Sequence, residues 1–176
     1  MLTRVKTAVL VSGGGTNLQA LIDAAAGGII NSAELTLVVS NNPSAYAINR
    51  AEDAGIPTLT ITKKQCGSQQ AFEEKLIEEL ESRGIELIVL AGFMSILSAR
   101  FTERFCERII NVHPSLIPSF CGKGYYGLKV HEEVLKYGVK VTGATVHFVN
   151  EVPDGGRIIA QKAVTVRSFD TPETLQ

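Results

Sequence analysis

The feature that most constrains the fold is a regular alternation of apolar and amphipathic segments along most of the chain. The apolar segments have the length and composition of buried β-strands, and the segments between them carry apolar residues at helical spacing. Such alternation is typical of parallel strands joined by right-handed crossovers. The predicted strands cover residues 6–12, 33–40, 57–62, 85–91 and 108–113, and the predicted helices cover residues 16–28, 44–55 and 68–84.

The pattern changes toward the C-terminus. A predicted helix at 127–138 precedes two strand-like segments, 140–149 and 157–166, which are separated by the turn sequence NEVPDGG. Two strands joined by such a turn predict an antiparallel pair. The sequence therefore predicts an α/β fold, with a Rossmann-like, mostly parallel twisted sheet, flanking helices and an antiparallel C-terminal strand pair. We expect a single domain over residues 1–176.

Composition and charge exclude several classes of protein. The net charge of −1 argues against nucleic-acid binding, which usually requires a basic excess. No apolar run approaches the 18 residues or so that a transmembrane helix needs. The three cysteines, Cys66, Cys106 and Cys121, are far apart and form no CxxC motif. They suggest neither a zinc site nor a disulfide framework, and they favour a reducing cytoplasm.

A glycine-rich loop separates the first predicted strand from the first predicted helix. Glycines let a backbone approach a phosphate closely, and a helix N-terminus offers unpaired N–H groups. The loop lacks the dinucleotide fingerprint because Leu18 replaces its last glycine, and no Gly-Lys-Ser/Thr of a P-loop follows. The alternative is a tight turn with Thr16 as the helix cap. The candidate phosphate-binding residues are Gly13, Gly14, Gly15, Thr16 and Asn17.

Asn111 and His113 lie two residues apart at the end of a predicted strand, so their side chains share one face. An amide donor and an imidazole aimed at one spot suit the stabilisation of an oxyanion during proton transfer. Pro114 and Pro118 keep this strand end extended and stiffen the chain that follows. The alternative is a strand terminus whose polar groups bond a loop.

Three further polar residues leave alternatives open. Asp154, in the PDGG turn, either caps that turn or orients and charges an imidazole. His147 has apolar neighbours in a strand pattern, and we expect a hydrogen-bonded core histidine. His131 follows a helical pattern beside two glutamates, and it is either a surface group or an anchor for a loop.

The segment LAGFMSIL, residues 90–97, is apolar and follows a predicted strand. It is either core or the lining of a pocket for a flat aromatic ligand at the carboxyl end of that strand.

Five motifs in a fixed order, SGGGTNLQ, LAGFM-IL, NVHPSLIPSF, GATVHFV and DGG, resemble the folate-dependent phosphoribosylglycinamide formyltransferases. The resemblance runs from about Lys6 to Gln176. It implies transfer of a formyl group from 10-formyltetrahydrofolate, as co-substrate, to the amine of glycinamide ribonucleotide in purine synthesis. It implies no metal and a monomer or homodimer in the cytoplasm.

The resemblance also assigns roles to residues. It implies a catalytic trio of Asn111, His113 and Asp154, and it places Gly15, Thr16 and Asn17 in the phosphate-side loop. Ser95 and Gln69 depart from the family, which commonly has arginine at the first position and can have arginine at the second. The folate-binding candidates are Met94, Ser95, Ile96, Leu97, Val149, Asn150 and Gln69.

The mechanism implied by this resemblance is direct attack of the amine on the formyl carbon, without a covalent enzyme intermediate. Protonated His113 and the Asn111 amide stabilise the oxyanion, Asp154 keeps His113 charged, and a water carries the proton. Related enzymes continue past the position of Gln176 with a helix that supplies an acidic residue. Because a helix start signal at 170–172 stands close to Gln176, we expect a chain ending there to be weakly active or inactive.

Three alternatives stay open. A formyltetrahydrofolate hydrolase shares the trio but uses water as acceptor. Methionyl-tRNA formyltransferase is longer and has a basic second domain. A non-catalytic folate- or nucleotide-binding protein would have no use for the trio.

Overall fold

The computed structural model describes residues 4–176. Two compact units are distinguished, one ending at Ile109 and the other running from Ile110 to Gln176. The single-domain organisation stays a prediction.

Seven strands and seven helices form between residues 4 and 176. The strands are β1 (Val5–Val11), β2 (Ala33–Ser40), β3 (Thr58–Thr60), β4 (Leu87–Leu90), β5 (Ile109–His113), β6 (Val141–Phe148) and β7 (Ile158–Thr165). The helices are α1 (Thr16–Ala26), α2 (Ala47–Asp53), α3 (Lys63–Cys66), α4 (Gln69–Ser82), α5 (Ala99–Arg104), α6 (Leu128–Tyr137) and α7 (Pro172–Leu175).

The strand pairing confirms the predicted fold class. In the first unit β1 pairs in parallel with β2 and β4, and β2 pairs in parallel with β3. In the second unit β6 pairs antiparallel with both β5 and β7. The strand order is β3-β2-β1-β4 in the first unit and β5-β6-β7 in the second. The fold is thus α/β, with a mostly parallel sheet, flanking helices and an antiparallel C-terminal pair.

The core of the first unit explains the apolar runs of the sequence. Strand β1 is buried from Thr7 to Val11, because a parallel strand in such a sheet is covered on both faces. On α4, Phe72, Leu76 and Leu80 recur every four residues and are buried. The polar residues that follow the strands are therefore left at the carboxyl edge of the sheet.

Helix α5 was not predicted from the sequence. It has six residues, too few for a clear helical period. Its one sequence signal is Ser98, whose side chain accepts a hydrogen bond from the backbone N–H of Phe101 and caps the helix.

Candidate active site

The glycine loop leads from β1 into α1. Gly15 occupies the helix-cap position in the left-handed conformation, with φ 76° and ψ 29°, and no side chain caps the helix. The alternative that Thr16 is the cap is therefore wrong, since Thr16 is the first helical residue. Gly13, Gly14, Thr16 and Asn17 are exposed.

Helix α2 packs against this loop and fixes its backbone. The N–H of Ala47 donates to the Gly13 carbonyl at 3.0 Å, and Arg50 Nε donates to the Gly14 carbonyl at 2.9 Å. A Cβ at Gly15 would lie 2.7 Å from the Cβ of Ala47, so only glycine fits. Within residues 4–176, no backbone N–H from 13 to 17 donates to another group. The loop thus turns its carbonyls inward and leaves its N–H groups for an anion.

The segment 94–98, which contains four of the predicted folate-binding residues, lies beside the same loop. The N–H of Met94 donates to Ser12 Oγ at 2.8 Å, and Asn41 Nδ2 donates to Ser95 Oγ at 2.7 Å. Gln69 Nε2 donates to the Ile96 carbonyl at 3.1 Å. The first unit therefore brings the candidate phosphate loop and most of the candidate folate residues together.

The apolar side chains of the segment 94–98 fall into two groups, exposed and buried. Met94 and Ile96 are 52% and 67% exposed, which is unusual for large apolar residues that a core could accommodate. Leu97 is buried and belongs to the core. The two alternatives from the sequence, core and pocket lining, thus apply to different residues of one segment.

In the second unit Asn111 and His113 lie on β5 and face β6. Asn111 is opposite His147, and His113 is opposite Thr145. His113 and His147 are both buried. The Asn111 Nδ2 lies 3.2 Å from His147 Nε2, as expected for a direct cross-strand pair.

Asp154 lies between the two imidazoles. Its Oδ2 accepts from the N–H of Gly122 at 2.8 Å and lies 3.4 Å from His113 Nδ1. Its Oδ1 lies 3.7 Å from His147 Nε2. The second unit therefore brings the three predicted catalytic residues together, and it adds His147 to them.

The turn that carries Asp154 has backbone geometry that requires glycine at position 156. Asp154 has a positive φ of 56°, which aspartate tolerates better than most residues. A Cβ on Gly156 would collide with the Phe148 carbonyl, so no larger residue fits that position. The predicted folate residues Val149 and Asn150 lie in the same turn, where Asn150 Oδ1 accepts from the N–H of Val152 at 3.0 Å.

The acceptors around the imidazoles determine where the ring hydrogens lie. Nε2 of His113 faces the Phe120 carbonyl at 2.8 Å, and Nδ1 of His147 faces the Phe148 carbonyl at 2.8 Å. A carbonyl only accepts, so each of these nitrogens donates. Nε2 of neutral His147 then accepts from Asn111, which keeps one amide N–H for another partner.

The electrostatics favour an ionised Asp154. Burial alone raises the pKa of this carboxyl group. Its interactions with His147, with the Gly122 N–H and with the charge of protonated His113 outweigh burial, so the pKa of Asp154 lies below its usual value.

The structure confirms the prediction for His147 and decides between the alternatives for His131. His147 is a buried, hydrogen-bonded histidine as expected, but its partner is a candidate catalytic residue. The surface alternative for His131 is wrong, because His131 is 4% exposed on the inner face of α6. Its Nδ1 has no partner among the described residues. Burial, followed by the charge of His113, lowers the pKa of His131.

Two further properties concern metals and membranes. Between residues 4 and 176, no group of three or more His, Cys, Asp and Glu side chains is arranged to hold a metal ion. None of the helices in that range combines the length and hydrophobicity that spanning a membrane requires.

The chain belongs to the formyl transferase family, which matches residues 5–176. It is 49% identical over 172 residues to the trifunctional purine biosynthetic protein adenosine-3 of Gallus gallus, covering 98% of this chain and 17% of that protein. It is 40% identical over 173 residues to the chloroplastic phosphoribosylglycinamide formyltransferase of Arabidopsis thaliana, covering 98% of this chain and 59% of that protein.

A solved structure gives the same result. The glycinamide ribonucleotide transformylase 1 of Symbiobacterium toebii matches with a TM-score of 0.90 at 40% identity, covering 98% of this chain and 78% of that chain. The resemblance found in the sequence motifs is thereby confirmed. The chain spans less than two thirds of the length of the chicken and Arabidopsis relatives.

The lowered pKa of Asp154 predicts a pH-dependent contribution to stability. Ionised Asp154 should stabilise the fold fully above its unfolded pKa of about 3.9, and this contribution should disappear as pH falls through the lower folded pKa. The free energy of unfolding of wild type should therefore exceed that of Asp154→Asn near pH 6, and the difference should shrink toward zero in strong acid. Chemical denaturation from pH 2.5 to 7 measures it, and a difference independent of pH would contradict the assignment.

Proposed function

We propose that this chain transfers a formyl group from 10-formyltetrahydrofolate to the amine of glycinamide ribonucleotide. The names of its Arabidopsis and Symbiobacterium relatives, a phosphoribosylglycinamide formyltransferase and a glycinamide ribonucleotide transformylase, support formyl transfer to this acceptor. The observation that carries the proposal is the Asp154 cluster. A carboxylate beside two buried imidazoles, with an amide N–H left over on Asn111, suits acyl transfer through an oxyanion.

The ribonucleotide phosphate binds at the glycine loop of the first unit. The unused N–H groups of residues 13–17 and the N-terminus of the 11-residue helix α1 both favour an anion. Arg50, which holds the Gly14 carbonyl, adds positive charge beside the loop.

The folate co-substrate binds along the segment 94–97 of the first unit. Val149 and Asn150, in a turn of the second unit, stay predicted folate-binding residues. The exposed side chains of Met94 and Ile96 provide apolar surface for the folate ring system. Gln69 and Ser95 make internal hydrogen bonds to this segment and to Asn41.

The chemical step is direct attack of the neutral amine on the formyl carbon. A carbon–nitrogen bond forms and the formyl oxygen becomes an oxyanion, which the free N–H of Asn111 stabilises. His113 assists once the substrate oxygen replaces the Phe120 carbonyl as the acceptor of its Nε2–H. The oxyanion then collapses and breaks the bond to N10 of the folate. A water moves the proton from the amine to N10.

Asp154 is the counter-charge in this scheme. Its carboxylate lies 3.4 Å from His113 Nδ1, on the side of the ring opposite the nitrogen that faces the Phe120 carbonyl. A cytoplasmic location and a monomeric or homodimeric state stay predictions.

Turnover of 10-formyltetrahydrofolate is the most direct test of the proposed function. Absorbance should change only when glycinamide ribonucleotide is present. Turnover without the ribonucleotide would indicate a hydrolase. Binding of tetrahydrofolate with no detectable turnover would indicate a binding protein, and either result would contradict the proposal.

Substitutions in the cluster should separate charge from hydrogen-bond donation. We expect Asp154→Asn and Asn111→Ala each to lower kcat by about two orders of magnitude, with little change in the KM for the ribonucleotide. Asp53→Asn, which changes an exposed carboxylate at the end of α2, is the control. Steady-state kinetics decides, and a wild-type kcat in Asp154→Asn would leave Asp154 as a turn residue only.

A glycine pair tests the phosphate loop. Gly15→Ala introduces strain of about 1–2 kcal/mol at φ 76° and a clash with Ala47, whereas Gly28→Ala introduces similar strain at φ 72° in open space. Gly15→Ala should therefore raise the KM for the ribonucleotide well above the KM change for the folate, and Gly28→Ala should alter neither. Equal KM changes for both substrates in folded Gly15→Ala would exclude phosphate binding at this loop.

A further inference from the structure

Glu73 is a buried carboxylate on α4, only 5% exposed. No Lys, Arg or His side chain among the described residues forms an ion pair with it. Its partners are neutral donors. Oε1 accepts from Gln69 Nε2 at 2.7 Å and from the Ser98 N–H at 2.8 Å, and Oε2 accepts from Ser98 Oγ. A buried carboxylate is tolerated only when such donors satisfy it, so it strongly favours the backbone arrangement that presents them.

The donors to Glu73 adjoin the candidate folate segment. The same Gln69 Nε2 donates to the Ile96 carbonyl at 3.1 Å. Ser98 begins α5 and accepts from the N–H of Phe101, whose side chain is fully buried. Glu73 thus connects residues 96–98 to α4 on one side and to the core on the other.

The other end of the segment is held independently. Ser12 accepts from the Met94 N–H, and Asn41 donates to Ser95. These contacts leave the position of Ile96 to Gln69 and Glu73. Ile96 is also the most exposed apolar side chain of the segment.

We propose that Glu73 is a positioning residue for folate binding, acting through Gln69 and Ser98 on the backbone of residues 96–98. This inference rests on the proposed function. Both N–H bonds of Gln69 Nε2 are directed to acceptors, Glu73 Oε1 and the Ile96 carbonyl, so Gln69 offers a ligand only the acceptor Oε1. This position therefore suits an N–H group of the co-substrate and gives no anchor to a carboxylate.

The test compares Glu73→Gln with Glu74→Gln. Glu74 is the next residue, is exposed, and forms a surface ion pair with Arg100 at 2.7 Å. Glu73→Gln places an NH₂ group against one of the existing donors and breaks at least one hydrogen bond. It should raise the KM for 10-formyltetrahydrofolate about tenfold, with kcat and the ribonucleotide KM within about twofold of wild type. Glu74→Gln should match wild type in all three quantities.

Amide hydrogen exchange at Ser98 provides a readout that needs no turnover. Exchange should be faster in Glu73→Gln than in wild type or Glu74→Gln, because the Ser98 N–H loses its acceptor. If Glu73→Gln does not fold, Ser98→Ala provides the second variant. It keeps the backbone donor, removes the hydroxyl donor, and should raise the folate KM by a smaller factor.

The outcomes separate this inference from the proposed function. Faster exchange at Ser98 with an unchanged folate KM would overturn the positioning role while leaving the proposed function intact. Equal increases in both KM values would also overturn it. A wild-type chain that neither turns over 10-formyltetrahydrofolate nor binds tetrahydrofolate in calorimetry would contradict the proposed function and this inference together.

Discussion

The candidate chemistry of the second unit depends on the contacts between the Asp154 carboxylate and the imidazoles of His113 and His147. The carboxylate lies between two imidazoles that the antiparallel pairing of β5 and β6 brings together, and the Gly122 N–H fixes its orientation. Its Oδ2 lies 3.4 Å from Nδ1 of His113, close enough to act as the counter-charge of a positive ring. Two carbonyls orient the rings from their far sides, so Asn111 retains an N–H group. The proposed oxyanion stabilisation follows from this arrangement.

The first unit satisfies a different constraint, which is to leave backbone N–H groups unpaired without destabilising the loop that bears them. Helix α2 donates hydrogen bonds to the carbonyls of Gly13 and Gly14. Its close approach to the loop requires glycine at position 15. The adjacent segment 94–98 is held through side-chain hydrogen bonds from three directions. Internal hydrogen bonds therefore hold both candidate binding elements in place without a ligand, which reduces the entropy lost on binding.

Much of this organisation could be predicted from sequence because parallel strands are buried on both faces and give continuous apolar runs. The glycine loop was predicted from its glycines between a strand and a helix, and the antiparallel pair from the turn sequence between its two strands. The trio of Asn111, His113 and Asp154 was predicted from the resemblance that the ordered motifs carry. The involvement of His147 could not be predicted, because it depends on the register that sets this residue opposite Asn111. The burial of Glu73 could not be predicted either, because the sequence of an amphipathic helix does not show which of its acidic residues is buried. The cap at Gly15 could not be predicted either, because it depends on a left-handed backbone conformation that other glycines of the chain also adopt.

The hydrogen positions on the two imidazoles test the central claim most directly. Nitrogen-15 NMR of the ring nitrogens, recorded where both rings are neutral, distinguishes the two tautomers. The structure predicts that the hydrogen of neutral His147 lies on Nδ1, because the Phe148 carbonyl lies 2.8 Å from that nitrogen. Asn111 then donates to His147 Nε2 and keeps one N–H for the formyl oxygen. A hydrogen on Nε2 of His147, which lies 3.7 Å from Asp154, would contradict this account, because Asn111 would then have to present its oxygen to His147.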